Sequence, residues 1–478
     1  MEATVQNLDI EAISAIFEKQ KRKALLLRSE PVKNRETRLR KLETWLLENQ
    51  AELQTAIFND FRKPPLETTT SEFFPVLGEI RHALTHLRSW AQPRKVDAPL
   101  TYIGTRSELR YEPKGVCLII APWNYPFNLC IGPLVSCLAA GNTAMLKPSE
   151  MTPHTSALIR KMMAMLFTEE EVMVIEGGTD VSAHLLSLPF DHIFFTGSPA
   201  VGKVVMKAAA EHLTSVTLEL GGKSPAVIDE TADLHDAAKR ITFGKFLNNG
   251  QTCIAPDYLL IHHAKKEQFL SLLKENISAQ FGSGKTVDEN SADYARIVNK
   301  KHFQRITLLV QDAVQSGARL ELSGTPNEET RFLPPIVLSD VSINSKIMEE
   351  EVFGPVLPVI TFTSEDEVIT IINSKPKPLG MYIFSKNKKF REALITATSA
   401  GAVCINDCVI QFTHPNLPFG GVNNSGIGKA HGYYGFLSFS NEKPVVKQKS
   451  GLSNTYLFYP PYTSVKKRLV DFIVKWFA

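Results

Sequence analysis

The segment Gly115-Val-Cys-Leu-Ile-Ile120-Ala-Pro-Trp-Asn124-Tyr-Pro126 contains a five-residue apolar run followed by a polar turn that carries two prolines. A short apolar run bounded by turn residues is typical of a strand buried on both faces. Similar runs follow at residues 143–147, 172–175 and 192–195, and stretches with helical periodicity such as 154–166 separate them. Strands that alternate with helices predict an α/β fold built on a parallel sheet with right-handed crossovers.

A second series of strands is predicted after Gly222. It comprises residues 225–228, 258–261, 358–362, 381–384 and 402–405, with helices such as 265–276 and 300–316 between them. The chain has 478 residues, which exceeds the size of one ordinary hydrophobic core. We therefore place a domain boundary near residues 220–222. Upstream of the first sheet, residues 11–90 show helical spacing, and residues 98–113 alternate as in a β-hairpin around Gly104.

Composition and charge argue against several classes of protein. The net charge of +3, without an arginine-rich tract or zinc-finger spacing, predicts no nucleic-acid partner. No apolar run reaches about 18 residues and the N-terminus lacks a signal-peptide pattern, so no spanning helix is expected. Six cysteines without a CxxC pair favour a reducing compartment, and we expect a cytoplasmic protein. Cys404 and Cys408 are four residues apart, which leaves a metal site as a weaker alternative.

One cysteine stands in an unusual context, Phe246-Leu-Asn-Asn-Gly-Gln-Thr-Cys253-Ile-Ala-Pro256. An ordinary thiol has a pKa near ~8.5, so little of it is thiolate at neutral pH. The backbone N–H groups of this polar turn are expected to lower that pKa. The alternative is a buried structural cysteine, but such a cysteine does not usually follow Asn-Asn-Gly-Gln-Thr. We therefore predict that Cys253 is a nucleophile.

Two polar residues at predicted strand ends are candidates for the same chemistry. Glu219, in Leu218-Glu219-Leu-Gly-Gly-Lys-Ser-Pro225, must face a cleft or have a partner, because an unpaired buried charge is costly. We interpret it as a base that activates water, with a salt bridge at the domain boundary as the alternative. Asn124 lies at a strand end, where open α/β sheets bind ligands. Its amide, with the backbone N–H of Cys253, is interpreted as a donor to an oxyanion, and a simple turn residue is the alternative.

Three further segments predict a dinucleotide site. Phe194-Phe-Thr-Gly197-Ser-Pro-Ala-Val-Gly202 has the pattern of a strand, a glycine turn and a helix, with Ser198 as its N-cap. Lys147-Pro-Ser-Glu150 is interpreted as a ribose contact that disfavours NADP, or else as a surface Lys–Glu pair. Glu351 and Phe353 precede a rigid Gly-Pro turn and are candidates for the nicotinamide end.

The C-terminal tail predicts an amphipathic helix after Tyr459-Pro-Pro-Tyr462. Apolar residues recur at helical spacing and basic residues lie on the other side; the apolar set is Leu469, Val470, Phe472, Ile473, Trp476 and Phe477. Docking of this helix on its own protein is favoured over contact with a membrane surface. The loop Leu417-Pro-Phe-Gly-Gly421 onward is glycine-rich but lacks the Lys-Ser/Thr ending of a P-loop.

These segments resemble the aldehyde dehydrogenase family over nearly the whole chain, and most closely its class 3 or fatty aldehyde dehydrogenase branch. The marks of that branch are the compact N-terminus, Ala121-Pro-Trp-Asn-Tyr-Pro-Phe127, Gly250-Gln-Thr-Cys-Ile-Ala-Pro-Asp-Tyr258 and Leu417-Pro-Phe-Gly-Gly421. The resemblance implies that Cys253 is the nucleophile, Glu219 the general base and Asn124 the oxyanion donor. It also implies cofactor contacts from Trp123, Lys147, Glu150, Gly197, Ser198, Val201, Gly202, Leu220, Glu351 and Phe353.

The resemblance further implies an architecture and partners. A Rossmann-like NAD-binding domain is expected at residues 1–97 and 114–220, and a catalytic domain at 221–403. A bridging element at 98–113 and 404–445 is expected to form a homodimer, followed by a tail at 446–478 similar to the helix that covers the substrate entrance. Two departures, Pro199 and Asn423, concern cofactor detail only.

The function implied is NAD-dependent oxidation of apolar aliphatic or aromatic aldehydes to acids, with NADP as a further cofactor candidate. Two alternatives stay open at this point. One is transfer of the acyl group to coenzyme A, against which Glu219 argues because hydrolysis needs a base. The other is a non-catalytic structural protein on the same scaffold, against which the complete set of Asn124, Glu219 and Cys253 argues.

Overall fold

A computed structural model describes residues 9–99, 102, 104–282, 287–451 and 453–477. Its α-helices are α1 (Ile10–Leu27), α2 (Val32–Glu48), α3 (Gln50–Phe61), α4 (Pro65–Thr68), α5 (Phe74–Trp90), α6 (Asn128–Ala140), α7 (Pro153–Leu166), α8 (Thr179–Ser187), α9 (Pro199–Ala210), α10 (Leu234–Phe246), α11 (Lys266–Phe281), α12 (Lys300–Gln315), α13 (Glu365–Asn373), α14 (Lys388–Ala397), α15 (Gly432–Ser438) and α16 (Ser464–Phe477). Its strands are β1 (Arg94–Val96), β2 (Thr105–Pro113), β3 (Val116–Ile120), β4 (Thr143–Lys147), β5 (Val172–Val174), β6 (His192–Gly197), β7 (Ser215–Leu220), β8 (Pro225–Ile228), β9 (Tyr258–His262), β10 (Arg319–Leu322), β11 (Ile336–Ser339), β12 (Val356–Phe362), β13 (Gly380–Phe384), β14 (Ala402–Ile405), β15 (Gly426–Ile427) and β16 (Ser440–Gln448).

The first sheet has six strands in the order β15-β7-β6-β3-β4-β5, parallel except for β15. Alternate residues of β3 enter two different cores. Val116 and Leu118 pack with residues of α1, α8 and α9, whereas Cys117 and Ile119 pack with residues of α2, α5, α6 and α7. Because both faces of the strand are buried, its sequence is a continuous apolar run. The α/β prediction is confirmed.

The second sheet has seven strands in the order β10-β11-β12-β9-β8-β13-β14, and its pairs are parallel except β10–β11. The sequence pattern did not reveal β10 and β11. β10 is a mostly exposed edge strand, so it lacks the apolar run that identified the others. Its antiparallel pairing with β11 is the one exception in this sheet to the parallel arrangement that the helix–strand alternation predicts.

A third sheet joins distant parts of the chain, in the order β1-β2-β16. β2 was predicted as the second arm of a hairpin, but its antiparallel neighbours are β1 and β16. The predicted pairing of β2 within the segment 98–113 was therefore wrong, because β1 and β16 occupy its two edges. Residues 100, 101 and 103 of the proposed first arm lie outside the described residues. β16 pairs with β2 from Ser440 to Gln448, a contact between segments more than 300 residues apart.

The C-terminal helix forms as predicted, at α16. Its apolar side chains stay exposed within the chain: Val465 is 66% exposed, Leu469 44% and Trp476 64%. The favoured docking of this helix on its own protein is thus not seen in the described residues of the single chain. None of the helices in the described part of the chain combines the length and hydrophobicity needed to cross a bilayer.

The cysteines are free thiols, and Cys117, Cys130, Cys137, Cys404 and Cys408 are buried. No cluster of metal-ligating side chains occurs among the described residues, so the structure gives no support to the alternative of a metal at Cys404 and Cys408.

Candidate active site

A cavity of about 530 Å³ lies where the carboxyl ends of β3, β6 and β7 meet loops of the second sheet. Most of the residues predicted from the sequence line it: Trp123, Asn124, Gly197, Ser198, Glu219, Leu220, Cys253, Glu351 and Phe353. Lys147, Glu150, Val201 and Gly202 are not among the lining residues. The carboxyl ends of parallel strands lie at one edge of a sheet. This explains why Asn124 and Glu219, which are 95 positions apart in the chain, both line this cavity.

The turn that carries Cys253 is held by polar side chains. Asn248 and Asn249 have φ values of 52° and 56°, in the left-handed region that Asn tolerates better than most residues. Gly250 has φ 71°, and a Cβ there would lie 2.2 Å from the carbonyl oxygen of Gly354. Gln251 donates to the carbonyl of Asn248 at 2.9 Å and accepts from the N–H of Val298 at 2.9 Å. These polar residues form a buried scaffold for the turn.

Asn124 is bonded directly to this turn. Its amide Nδ2 donates to the carbonyl of Gln251 at 3.0 Å, and its own carbonyl accepts from Nδ2 of Asn248 at 2.8 Å. The next residue, Tyr125, shares a hydrogen bond of 2.6 Å with the hydroxyl of Thr252. The strand-end loop after β3 and the cysteine turn therefore form one hydrogen-bonded unit. One of the two amide hydrogens of Asn124 is used by Gln251, which leaves one for a ligand.

The electrostatics of Cys253 differ from the expectation. Burial raises the pKa of this thiol above its ordinary value, and the nearby carboxylates of Glu351 and Glu219 raise it further. The backbone N–H groups of Cys253 and Ile254 act in the predicted direction but do not outweigh these effects. The prediction of a lowered pKa was therefore wrong, because it considered the local turn and not the burial of the thiol or the two acids that the fold brings close. Proton removal from this thiol requires a strong local base.

Glu219 is a candidate for this base. Its residue is 6% exposed, and neither carboxylate oxygen has a hydrogen-bond partner among the described residues. Burial raises its pKa well above the ordinary carboxyl value, and the ammonium group of Lys429 opposes this only in part. The alternative of a salt bridge at this position fails on geometry, since no cation pairs with Glu219 among the described residues. A carboxylate with a raised pKa accepts a proton more readily than an ordinary one.

Residues 2–445 match the profile of the aldehyde dehydrogenase family. The chain belongs to the aldehyde dehydrogenase family. It is 41% identical over 440 residues to aldehyde dehydrogenase family 3 member A2 of Rattus norvegicus, covering 92% of this chain and 89% of the relative. It is 40% identical over 458 residues to the 4,4'-diaponeurosporen-aldehyde dehydrogenase of Staphylococcus aureus, covering 96% and 97%. These relatives place it in the class 3 or fatty aldehyde dehydrogenase branch.

A solved structure agrees with this placement. The substrate-bound state of Staphylococcus aureus AldH superposes with a TM-score of 0.92 at 39% sequence identity, covering 98% of this chain and all of the other. This aldehyde dehydrogenase is therefore an oxidoreductase of the EC 1.2.1 type that uses a nicotinamide dinucleotide. The alternative of a non-catalytic protein loses its support, since both relatives are named as dehydrogenases.

In this aldehyde dehydrogenase the N-terminus of α9 faces the cavity. Ser198 caps the helix by accepting from the N–H of Val201, and Pro199 occupies its first turn, as predicted. A Cβ on Gly202 would lie 2.8 Å from the side chain of Leu220, so this glycine allows α9 to pack closely on β7. Val201 is half exposed and contributes to the cap rather than to the cavity wall.

The remaining predicted cofactor residues form two groups. Lys147 is buried and donates to Glu150, which is half exposed, at 3.2 Å. Glu351 approaches the glycine after β7 so closely that a Cβ on Gly221 would lie 2.1 Å from its carboxylate. Burial and the charge of Asp257 raise the pKa of Glu351 to about 8. Phe353 contacts Trp123 edge to face, with ring centroids 5.2 Å apart.

Several residues near the site gave no signal in the sequence. Lys63 and Glu72 form a fully buried ion pair of 2.8 Å beside Asn124. His431 and Glu79 line the cavity and contact each other from 352 positions apart. Lys429 donates to the carbonyls of Gly420 and Gly421 beside Glu219. None of these lies in a local motif, so only an observed contact could find them.

Proposed function

We propose that this enzyme oxidises apolar aldehydes to carboxylic acids with NAD, through a thiohemiacetal and a thioester on Cys253. The observation that carries the proposal is the shared cavity wall formed by Cys253, Asn124 and a Glu219 carboxylate with no hydrogen-bond partner. A buried carboxylate without partners is unfavourable for folding, and such costs are typical of catalytic groups.

The proposed first half-reaction forms a bond to sulfur. Glu219 takes the thiol proton; the raised pKa of the carboxyl favours this transfer, and the raised pKa of the thiol opposes it. The thiolate adds to the carbonyl carbon, and the oxyanion accepts hydrogen bonds from Nδ2 of Asn124 and the N–H of Cys253. The nicotinamide ring, when bound, supplies the hydride acceptor, and collapse of the oxyanion leaves a thioester on Cys253.

The proposed second half-reaction is hydrolysis. Glu219 first releases the thiol proton to solvent and then removes a proton from water, which attacks the thioester carbonyl. The C–S bond breaks, the thiolate takes the proton back from Glu219, and the acid is released. A base beside the thioester favours water as the acceptor. Coenzyme A is the second candidate acceptor, and product analysis with and without it distinguishes the two routes.

The part of the cavity beside the N-terminus of α9 is lined by residues that fit a nicotinamide dinucleotide. The N-terminus of α9 presents N–H groups suited to a pyrophosphate, and Gly197 leaves no space for a side chain because a Cβ there would lie 2.5 Å from the ring of Phe195. We propose that Glu351 and Phe353 hold the nicotinamide ribose and ring, and that Lys147 and Glu150 hold the adenosine ribose. The carboxylate of Glu150 is expected to favour NAD over NADP by repelling a 2′-phosphate.

The substrate proposed is an aldehyde with an apolar body. Beyond Cys253 the cavity is lined mainly by apolar side chains, including Leu129, Pro133, Leu379, Phe412 and Phe419. Desolvation of an apolar chain against such walls favours binding. The relative named 4,4'-diaponeurosporen-aldehyde dehydrogenase supports an aldehyde as the substrate.

We also propose the assembly and domain division that the resemblance implies. β16 and the exposed strand β1 offer edges through which the third sheet can bridge two copies, and the exposed face of α16 is suited to the substrate entrance or to a lipid surface. We propose that the NAD-binding domain comprises residues 1–97 and 114–220, the catalytic domain 221–403 and the bridging element 98–113 and 404–445. A reducing, cytoplasmic compartment is proposed on the free thiols.

The deciding experiment is an absorbance assay for reduced cofactor with hexanal and decanal, using NAD and NADP in parallel. We expect reduction of NAD, an acid product that forms without coenzyme A, and higher kcat/KM for the longer chain. An absence of cofactor reduction with every aldehyde would refute the proposal. A product that forms only with coenzyme A would favour the acyl-transfer alternative.

A further inference from the structure

A hydrogen-bonded His–Glu pair lies beside the apolar side chains of the cavity. His431 and Glu79 both line it, and Nδ1 of His431 lies 2.9 Å from Oε1 of Glu79. The second oxygen of Glu79 accepts from the backbone N–H of Gly432 at 3.0 Å. Both oxygens of this carboxylate are therefore engaged, and the orientation of the imidazole ring is fixed from one side.

The other nitrogen of the ring is free. Nε2 of His431 has no hydrogen-bond partner among the described residues, while the side chain is 16% exposed and lines the cavity. Burial alone would raise the pKa of Glu79, but the hydrogen bond and charge of His431 and the N–H of Gly432 lower it below the ordinary value. In the uncharged form of the ring, the hydrogen bond to Glu79 selects the Nδ1–H tautomer, which leaves a lone pair on Nε2.

The position of His431 relative to the thiol follows from the rings between them. Cys253, Phe412 and Phe419 belong to one apolar cluster with Ile254 and Leu379. The imidazole packs edge to face against Phe412 at 4.7 Å and at 66° against Phe419 at 5.1 Å. The imidazole therefore packs against two rings of the same apolar cluster that includes Cys253.

We propose that His431, oriented by Glu79, is a specificity residue that accepts a hydrogen bond from a hydroxyl group on the substrate, remote from the aldehyde carbon. The preferred substrate class is then an aldehyde with an apolar or aromatic body and a hydroxyl about one ring away from the carbonyl. This inference rests on the proposed aldehyde oxidation and narrows its substrate.

The chemistry around the ring selects a hydroxyl over other groups. A carboxylate on the substrate would face the negative charge of Glu79 and has no hydrogen to donate to Nε2, and an ammonium group would have to bury its charge among apolar side chains. A hydroxyl is small, uncharged and able to donate to a lone pair. A site built to hydrogen-bond a hydroxyl discriminates against the analogue that lacks it, because its own polar atom is then left unpaired.

The test uses two aldehydes of similar size and electronic character, 4-(hydroxymethyl)benzaldehyde and 4-ethylbenzaldehyde, neither of which ionises near neutral pH. We expect the full-length enzyme with NAD to show a higher kcat/KM for the hydroxylated aldehyde. In His431→Phe the ratio of the two kcat/KM values should fall roughly ten-fold, the effect of losing one neutral hydrogen bond. Because the same two aldehydes are used with both enzymes, the difference in their intrinsic reactivity cancels when the two ratios are compared.

Two variants serve as controls. Phe412→Leu replaces an aromatic side chain of the cavity wall with a smaller apolar one. It is expected to lower kcat/KM for both aldehydes by a similar factor. Glu79→Gln releases the imidazole tautomer and is expected to reduce the hydroxyl preference partly. Calorimetric binding of the two corresponding benzoates to the unaltered enzyme gives a second measurement that needs no variant, and 4-(hydroxymethyl)benzoate should bind more tightly.

Each outcome separates this inference from the proposed function. If the enzyme oxidises 4-ethylbenzaldehyde but His431→Phe leaves the ratio unchanged, or the two benzoates bind equally, the hydroxyl site is refuted while aldehyde oxidation stands. If neither NAD nor NADP is reduced with 4-ethylbenzaldehyde, hexanal or decanal, both proposals fall.

Discussion

Two glutamates, Glu72 and Glu219, are buried to a similar degree but have opposite surroundings. Glu72 is 0% exposed and is bonded to Lys63 at 2.8 Å and to the N–H groups of Phe127 and Asn128. Glu219 is 6% exposed and has no hydrogen-bond partner on either oxygen. Burial raises the pKa of both, but three donors oppose that shift at Glu72 and only the charge of Lys429 opposes it at Glu219.

The difference distinguishes a structural carboxylate, Glu72, from a candidate catalytic carboxylate, Glu219. Glu72 holds the N-terminus of α6 and, through Lys63, the carbonyl of Asn124, so it fixes the loop beside the thiol. Glu219 lacks such bonds, and its carboxylate is left for a reacting proton. Depth of burial alone does not distinguish these two acids; the absence of partners at the wall of a cavity is what makes Glu219 the candidate for catalysis.

The largest effect is expected from removal of the thiol. Cys253→Ala should lower aldehyde-dependent reduction of NAD by at least about 1,000-fold, because no covalent adduct forms. The thermal unfolding midpoint should stay near that of the unaltered enzyme, since Cys253 is partly exposed to the cavity. Residual activity within ten-fold of that of the unaltered enzyme would contradict the assignment of Cys253 as the nucleophile.

The second effect is on the base. Glu219→Gln should lower the steady-state rate by about 100- to 10,000-fold, because general base catalysis is lost. Stability should change by less than about 0.5 kcal/mol or increase, since no hydrogen bond is removed. A steady-state assay and a urea unfolding curve on the same preparation measure the rate and the free energy of unfolding. A large loss of stability would show that Glu219 has a structural partner.

The converse is expected at the structural acid. Glu72→Gln leaves Lys63 as an uncompensated buried charge and should destabilise the enzyme by about 3–5 kcal/mol. The urea unfolding midpoint reports this loss. The double variant Lys63→Met with Glu72→Leu should recover part of the stability, because removing both charges is less costly than removing one. Additive losses in the double variant would contradict the pairing.

The smallest effect concerns pH. Glu219 acts as a base only when deprotonated, so the rate should rise as pH increases through its raised pKa. The ammonium group of Lys429 lowers that pKa; Lys429→Met should therefore move the rising limb of the pH–rate profile to higher pH. Lys429→Arg keeps the charge and is the control. A shift to lower pH, or equal shifts in both variants, would argue against the electrostatic coupling.

Local sequence predicted much of this molecule. The strands Val116–Ile120, Thr143–Lys147, Pro225–Ile228 and Ala402–Ile405 have the predicted bounds. Ser198 caps its helix, and Asn124, Glu219 and Cys253 share a cavity. These features follow from apolar runs, turn chemistry and the position of parallel strand ends, all of which are encoded over a few neighbouring residues.

Only the tertiary structure decided which charges meet. The raised pKa of Cys253 depends first on burial and then on Glu351 and Glu219, which the fold places near it from 98 and 34 positions away. The pairing of β2 with β16 and the contact of His431 with Glu79 likewise join segments that no local pattern connects. Burial and electrostatics depend on every group within a few ångströms, whatever its position in the chain, and a sequence pattern records only near neighbours.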